Sequence, residues 1–213
     1  MSITDFPEIL IADPTGEPLK MALVKGGAVV SARDGGKAME DFFEALAECA
    51  GGGLANIGAF VLCTGTGSVL GTRTASVGFA VAAKFTGAKM FQFNCMEVSA
   101  HALSEKVGGA FSLFTQSRKG YANILNFDGG IKLLREIPAG EISALALRKR
   151  FTLRQRQKTD AALADFEMFE MSAAEIAQTL LKHPELAREC SDTPDAAPLT
   201  EREYVKWKAQ AHI

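Results

Sequence analysis

The sequence predicts an α/β fold of two lobes, each a mixed sheet flanked by helices. Three observations lead there. Strand-like runs and amphipathic helical stretches alternate from the N-terminus to about Lys106. A strand–turn–strand pattern then starts afresh, with helical periodicity behind it, as a second lobe of the same kind would begin. The chain has 213 residues, 47% of them hydrophobic and 23% charged, which is ordinary for a globular protein. At that length about 70% of the unfolded surface is buried on folding, so the core needs no staples.

The elements follow in order. Ile9 to Ala12 is an apolar run ended by the turn signal Asp13-Pro14-Thr15-Gly16. Leu19–Lys25 and Ala28–Arg33 read as strands around a Gly26-Gly27 hairpin turn. From Lys37 to Ala50 the period changes: Met39, Phe42, Phe43, Leu46 and Ala50 recur at helical steps, with Glu40, Glu44 and Glu48 elsewhere on the wheel. Gly51-Gly52-Gly53 stops that helix. Ala59–Cys63 reads as a buried strand, Gly71–Phe85 as a second helix, Lys89–Phe93 as a strand and Met96–Lys106 as a third helix. Ala110–Gln116, Tyr121–Phe127 and Ile131–Ile137 form a predicted meander, turning at Gly120 and Gly129-Gly130. Ile142–Arg150 and Ala173–Lys182 are the next predicted helices, Ser191–Pro198 a linker and Tyr204–Ala211 a closing helix. The lobes are placed at residues 1–101 and 102–194, with 195–213 returning to the first.

A formal net charge of −2 excludes the strong overall positive field of a stand-alone nucleic-acid binder. Cys49, Cys63, Cys95 and Cys190 are scattered without a C-x-x-C pair and read as reduced thiols, not as a disulfide or zinc framework. Asp5 and Glu8 precede the first basic residue, Lys20, the reverse of a secretory signal. No apolar run nears the roughly 20 residues that span a bilayer. The expectation is a cytoplasmic protein with no membrane segment.

Gly65-Thr66-Gly67-Ser68-Val69-Leu70-Gly71-Thr72-Arg73 lies between a predicted strand and helix. Amides of such a loop, with the helix N-terminus, can hold an anion. The run lacks a Walker lysine and the full dinucleotide fingerprint, and the plainer reading is a tight turn needing glycine for its backbone. In the helix behind it, Gly71, Ala75, Gly78 and Ala82 form a small-residue stripe, and Val77, Val81 and Phe85 a bulkier one. A mid-helix glycine costs about 1 kcal/mol relative to alanine. Gly78 therefore implies close approach, either to the lobe's own sheet or first helix, or to a partner's helix. His101, His183 and His212 stand alone; Glu97 and His101 make at most half a metal site, and no metal is expected.

Four segments, in order, resemble the TsaB/YeaZ family. The run Gly65 to Arg73 is similar to the family's G-P-G-S-F-T-G-L-R, and Asp13-Pro14-Thr15 to its D-T-S. Gln116-Ser117-Arg118-Lys119-Gly120 looks like D-A-R-x-G, and Pro198 to Lys208 like P-x-Y-L-R-x-x-V-A-W-K-K. Departures are Thr66, Val69 and Leu70 in the glycine motif, Gln116 for the aspartate of D-A-R-x-G, and no histidine before the first helix. The resemblance implies two actin-like lobes of the acetate/sugar kinase–heat-shock–actin type. It implies a catalytically silent scaffold that binds and activates TsaD, helps recruit TsaE, and takes part in transferring a threonylcarbamoyl group to a tRNA adenosine. Its first two helices would bundle with those of TsaD through Met39, Phe42, Phe43, Leu46, Gly71, Ala75, Gly78 and Ala82, and would pair two copies in a homodimer when TsaD is absent. The motif loop Asp13, Thr15, Gly65, Gly67, Ser68, Gly71 and Arg73 would be the place of any weak nucleotide or phosphate contact, with no resident cofactor. The basic run Arg148, Lys149, Arg150, Arg154, Arg156 and Lys158 reads as a solvated helix surface, or as a tRNA backbone contact within the complex. Two other functions stay open: an actin-like ATPase or kinase remnant built on Asp13, and a glycoprotease-like peptidase, for which Ser68 has no histidine near it in sequence.

Overall fold

The computed structural model describes residues 1–51, 53–153 and 163–190. Strands β1 (Glu8–Asp13), β2 (Lys20–Lys25) and β3 (Ala28–Asp34) form an antiparallel meander. Helix α1 (Ala38–Cys49) leads to β4 (Ala59–Cys63), and α2 (Val69–Thr86) to β5 (Lys89–Phe93). β4 lies parallel to β1, and β5 parallel to β4, the arrangement that a helical crossover makes possible. Helix α3 (Cys95–Val107) carries the chain to a second meander, β6 (Phe111–Gln116), β7 (Tyr121–Phe127) and β8 (Ile131–Pro138). A one-turn helix α4 (Ile142–Leu145) precedes β9 (Lys149–Leu153), which lies parallel to β6; β10 (Glu167–Phe169) lies parallel to β9. Then come helix α5 (Ala173–Lys182) and β11 (Arg188–Glu189), which is antiparallel to β5. The sheets run β11-β5-β4-β1-β2-β3 and β10-β9-β6-β7-β8. Apart from β11, the second repeats the order of the first.

Side-chain alternation explains the layers. In β1 and β4, Leu10, Ala12, Phe60 and Leu62 point to a core under α1 and α2, while Ile9, Ile11, Val61 and Cys63 point the other way. That other side is the largest core, and it holds α3, α5 and Phe111, Leu113, Leu125 and Phe151 of the second sheet. With both faces covered, β4 is buried at every position, as parallel strands usually are. A smaller core around Phe114, Ile124, Ile137 and Ile142 lies on the outer face of the second sheet. Caps fix the helix ends: the Ser68 hydroxyl accepts from the Gly71 N–H at 3.1 Å, and Ser172 with Glu175 forms a capping box on α5.

The predicted helix over Ile142–Arg150 is corrected. It ends at Leu145, and Lys149 opens a strand. The Asn126 amide donates to the Leu145 carbonyl at 3.0 Å, and the Ser112 hydroxyl accepts from the Leu147 N–H at 2.7 Å. The segment is thereby held to the sheet, and Phe151 and Thr152 are buried beside β6. Tertiary pairing outweighs the local helical pattern. Arg148, Lys149 and Arg150 are accordingly on no helix surface: the Lys149 ammonium caps the end of α3, 3.0 Å from the carbonyls of both Val107 and Gly108. Strands β10 and β11 were not expected, and α5 and β11 bring part of the 102–194 stretch onto the first sheet. Gly52, Arg154, Arg156, Lys158, the 191–198 linker, the 204–211 helix with its motif, and His212 lie outside the described residues. Among those described, no helix is long and apolar enough to cross a membrane.

Candidate functional site

The glycine loop is built against the turn that ends β1. The Asp13 carboxylate is buried and accepts from the Thr15 N–H at 3.0 Å and the Thr15 hydroxyl at 2.6 Å. It is thus engaged by its own turn, as Asp commonly is at such positions. The Thr15 carbonyl in turn accepts from the Ser68 N–H at 2.7 Å. Gly67, at φ +149°, leaves no room for a side chain, because a Cβ there would overlap the Thr15 carbonyl oxygen. Gly65 is packed on the Cys95 amide and Gly71 on the Pro14 carbonyl. The structure therefore brings Asp13, Thr15, Gly65, Gly67, Ser68 and Gly71 together, by backbone packing. Arg73, one turn into α2, is exposed.

Thr66 and Cys95 extend this cluster to the second sheet, which sequence reasoning missed. The Thr66 and Thr115 hydroxyls are 3.0 Å apart, and the buried Asn123 amide donates to Thr115 at 3.0 Å. Cys95 lies 3.7 Å from the Thr66 carbonyl. Burial pushes the Cys63 thiol far above its ordinary range, and its hydrogen bond to Cys95 holds the Cys95 thiol below. Only the predicted burial of Cys63 in its strand signalled any of this. A narrow crevice beside Asp13, between Lys20, Ser99 and Phe169, remains. Among the described residues, no group of three His, Cys, Asp or Glu side chains is placed to hold a metal.

The eight residues expected to face a partner divide sharply. Met39 and Phe43 are exposed, at 56% and 61%. Phe42, Leu46, Gly71, Ala75, Gly78 and Ala82 are buried within the chain, so they form no contact surface as it stands. The physical reason is the α1–α2 contact: a Cβ on Gly78 would come within 2.5 Å of the Phe42 ring and 3.3 Å of Phe43. The glycine thus admits the first helix of its own lobe. The rings of Phe42, Phe79 and Phe60 continue inward at 5.4 and 4.9 Å. The bulky stripe faces outward, with Val77 58%, Val81 49% and Phe85 88% exposed, and Leu70 two turns earlier on the same side.

This architecture defines a class: an α/β protein in which one sheet order of the actin-like fold occurs twice, with two helices at the junction. Within it, the structure is similar to YeaZ from Pseudomonas aeruginosa, with a TM-score of 0.58 and 15% identity over 84% of this chain and 92% of that one. It is also similar to a protein described as uncharacterized, with similarity to peptidase YeaZ from Pseudomonas aeruginosa, at a TM-score of 0.56 and 15% identity over 84% and 91%. The fold of the family read from the four motifs is therefore the fold this chain adopts. No family model matches the sequence, and no curated protein matches it.

Proposed function

We propose that this chain is a divergent TsaB-type scaffold: it binds and activates a TsaD-type catalytic subunit for tRNA threonylcarbamoyladenosine synthesis and makes no bonds itself. The observation that carries the reading is the outward apolar stripe on paired helices, Met39 and Phe43 of α1 with Leu70, Val77, Val81 and Phe85 of α2. One apolar face suffices for helices that cover a sheet, and here that face is already occupied by Phe42, Ala45, Ala75 and Phe79. A second apolar face left in water marks an association site. The YeaZ-like fold and the four motif resemblances say which partner to test first. TsaE and tRNA would join only in the assembled complex, and without TsaD the same stripe would pair two copies about a two-fold axis.

The test replaces an exposed residue, since Ala75 and Gly78 are internal. Val81→Glu should leave stability within about 0.5 kcal/mol, as exposed changes do. It should abolish co-purification with the TsaD-type subunit of the same host and reduce the particle mass seen by light scattering to that of one chain. In a reconstituted reaction the variant should yield no threonylcarbamoyladenosine by nucleoside mass spectrometry. A folded Val81→Glu protein that still associates and supports modification would remove the stripe from the proposal. ATP turnover by the isolated wild type, abolished in Asp13→Ala, would instead favour the ATPase reading.

A further inference from the structure

Helix α3 and the stretch from the end of α5 to β11 meet along a polar seam that the scaffold reading leaves unused. On α3 the side chains Glu97, His101 and Glu105 succeed one another at four-residue spacing. Facing them are Arg188, whose guanidinium lies 3.1 Å from Glu97; His183, whose ring centre is 4.6 Å from that of His101; and Lys182, 2.6 Å from Glu105. His183 ends α5, with its N–H donated to the Thr179 carbonyl at 2.8 Å. Its two ring nitrogens face carboxylates, Nε2 at 3.6 Å from Glu105 and Nδ1 at 3.4 Å from Glu185. His101 stands edge-on to Phe127 of β7 at 5.5 Å.

We propose that His101 and His183 form a proton-operated clasp, which holds the segment from α5 to β11 against α3 near neutral pH and loosens it under mild acid. The charges decide the direction. With both imidazoles neutral, Glu97, Glu105 and Glu185 face Lys182 and Arg188, a balance of −1. With both rings protonated, two like charges would stand 4.6 Å apart and the balance would turn to +1. Burial first, and then the neighbouring His183, hold the His101 pKa below its ordinary value, so the folded seam resists a proton on His101. Linkage gives the sign: a histidine with a depressed folded pKa favours the closed form above about 6.5 and ceases to do so as pH falls through the folded value. What the clasp secures is β11, which covers the β5 edge through the Arg188–Gln92 and Glu189–Phe91 pairs and a Cys190 N–H bond to the Met90 carbonyl of 3.0 Å. Opening it exposes that edge.

Hydrogen exchange of the full chain tests the clasp, because the Cys190 amide reports β11 and the Val61 amide the sheet centre. After correction for intrinsic rates, the Cys190 amide should lose about tenfold in protection relative to Val61 between about pH 7 and pH 5.5. His101→Gln should reduce that loss to about twofold or less. His101→Phe, which keeps a ring against Phe127 without a proton, should do the same should the glutamine variant not fold. A wild-type ratio that stays constant over this range overturns the clasp, as does a full tenfold loss persisting in the His101 variants. Neither outcome depends on a TsaD-type partner, so the clasp and the scaffold reading can fail separately.

Discussion

The first sheet is crossed by two full helices, α1 of 12 residues and α2 of 18, whereas in the second the link from β8 to β9 carries only the four-residue α4. The strand order is the same on both sides. On the first, the helices are thick enough to bury one face on the sheet and present another outward. On the second, among the described residues, Ile142, Leu145, Leu163 and Phe166 lie over Phe114 and Ile124 and keep water from them. The difference teaches that one strand order can carry two uses. The long helices of the first half leave apolar side chains outward, whereas the described side chains of α4 and of the approach to β10 go into closing the core.

The sharpest way to break this comparison is to remove one fully buried ring from each half. Phe79→Ala, at the centre of the ring cluster under α2, should cost about 3–5 kcal/mol, and Phe114→Ala the lower end of that range, because the short α4 and the Phe166 ring can shift into the space left. Both should lower a single calorimetric transition, since one core spans both sheets. Two resolved transitions, or a larger cost for Phe114→Ala, would show that the halves are not related in this way. Next in size is Thr115→Val, which leaves the buried Asn123 amide without its acceptor and severs the link to Thr66. Denaturant titration should give a loss of about 1–2 kcal/mol. A neutral result would make the contact incidental.

The smallest effect sharpens the role of α5, which joins the halves. The Glu175 carboxyl is held below its ordinary pKa, first by the Ser172 N–H and then by Lys106. A depressed carboxylate contributes above its unfolded pKa of about 4.3, and that contribution fades as pH falls through the folded value. Glu175→Gln should therefore cost about 0.5–1 kcal/mol near pH 7 and less near pH 3, read as converging urea midpoints. Curves separated equally at both pH values would point to packing rather than charge.

Periodicity made most of the fold legible. α1, α2, α3 and α5 and the strands of both meanders lie within about two residues of their predicted limits, because each carries its own pattern. β9 did not, because its residues suit a helix until β6 offers a partner. The glycine loop and the β1 turn were recognisable, but what the glycines touch was not: the carbonyls of Pro14 and Thr15 are reached only after the chain has folded back. The same holds for α2. Two apolar stripes run along it, and nothing in the one-dimensional pattern says which is inward; the glycine opposite Phe42 settles it in three dimensions. The Thr66–Thr115 contact and the His101–His183 pair join residues far apart in the chain and left no local signature.

The hydroxyl–amide chain from Thr66 through Thr115 to Asn123 bears on the thermodynamics of recognition. Many proteins of two halves close like a jaw on what they bind, and part of the affinity is consumed in freezing that motion. Here the halves are already fastened at the waist, by polar contacts on one side and a continuous core on the other. A molecule that covers Phe43 and Val81 meets a body with little internal freedom left to lose. Its binding heat-capacity change should then scale with the apolar area of the stripe alone, without the added contribution of a closing cleft.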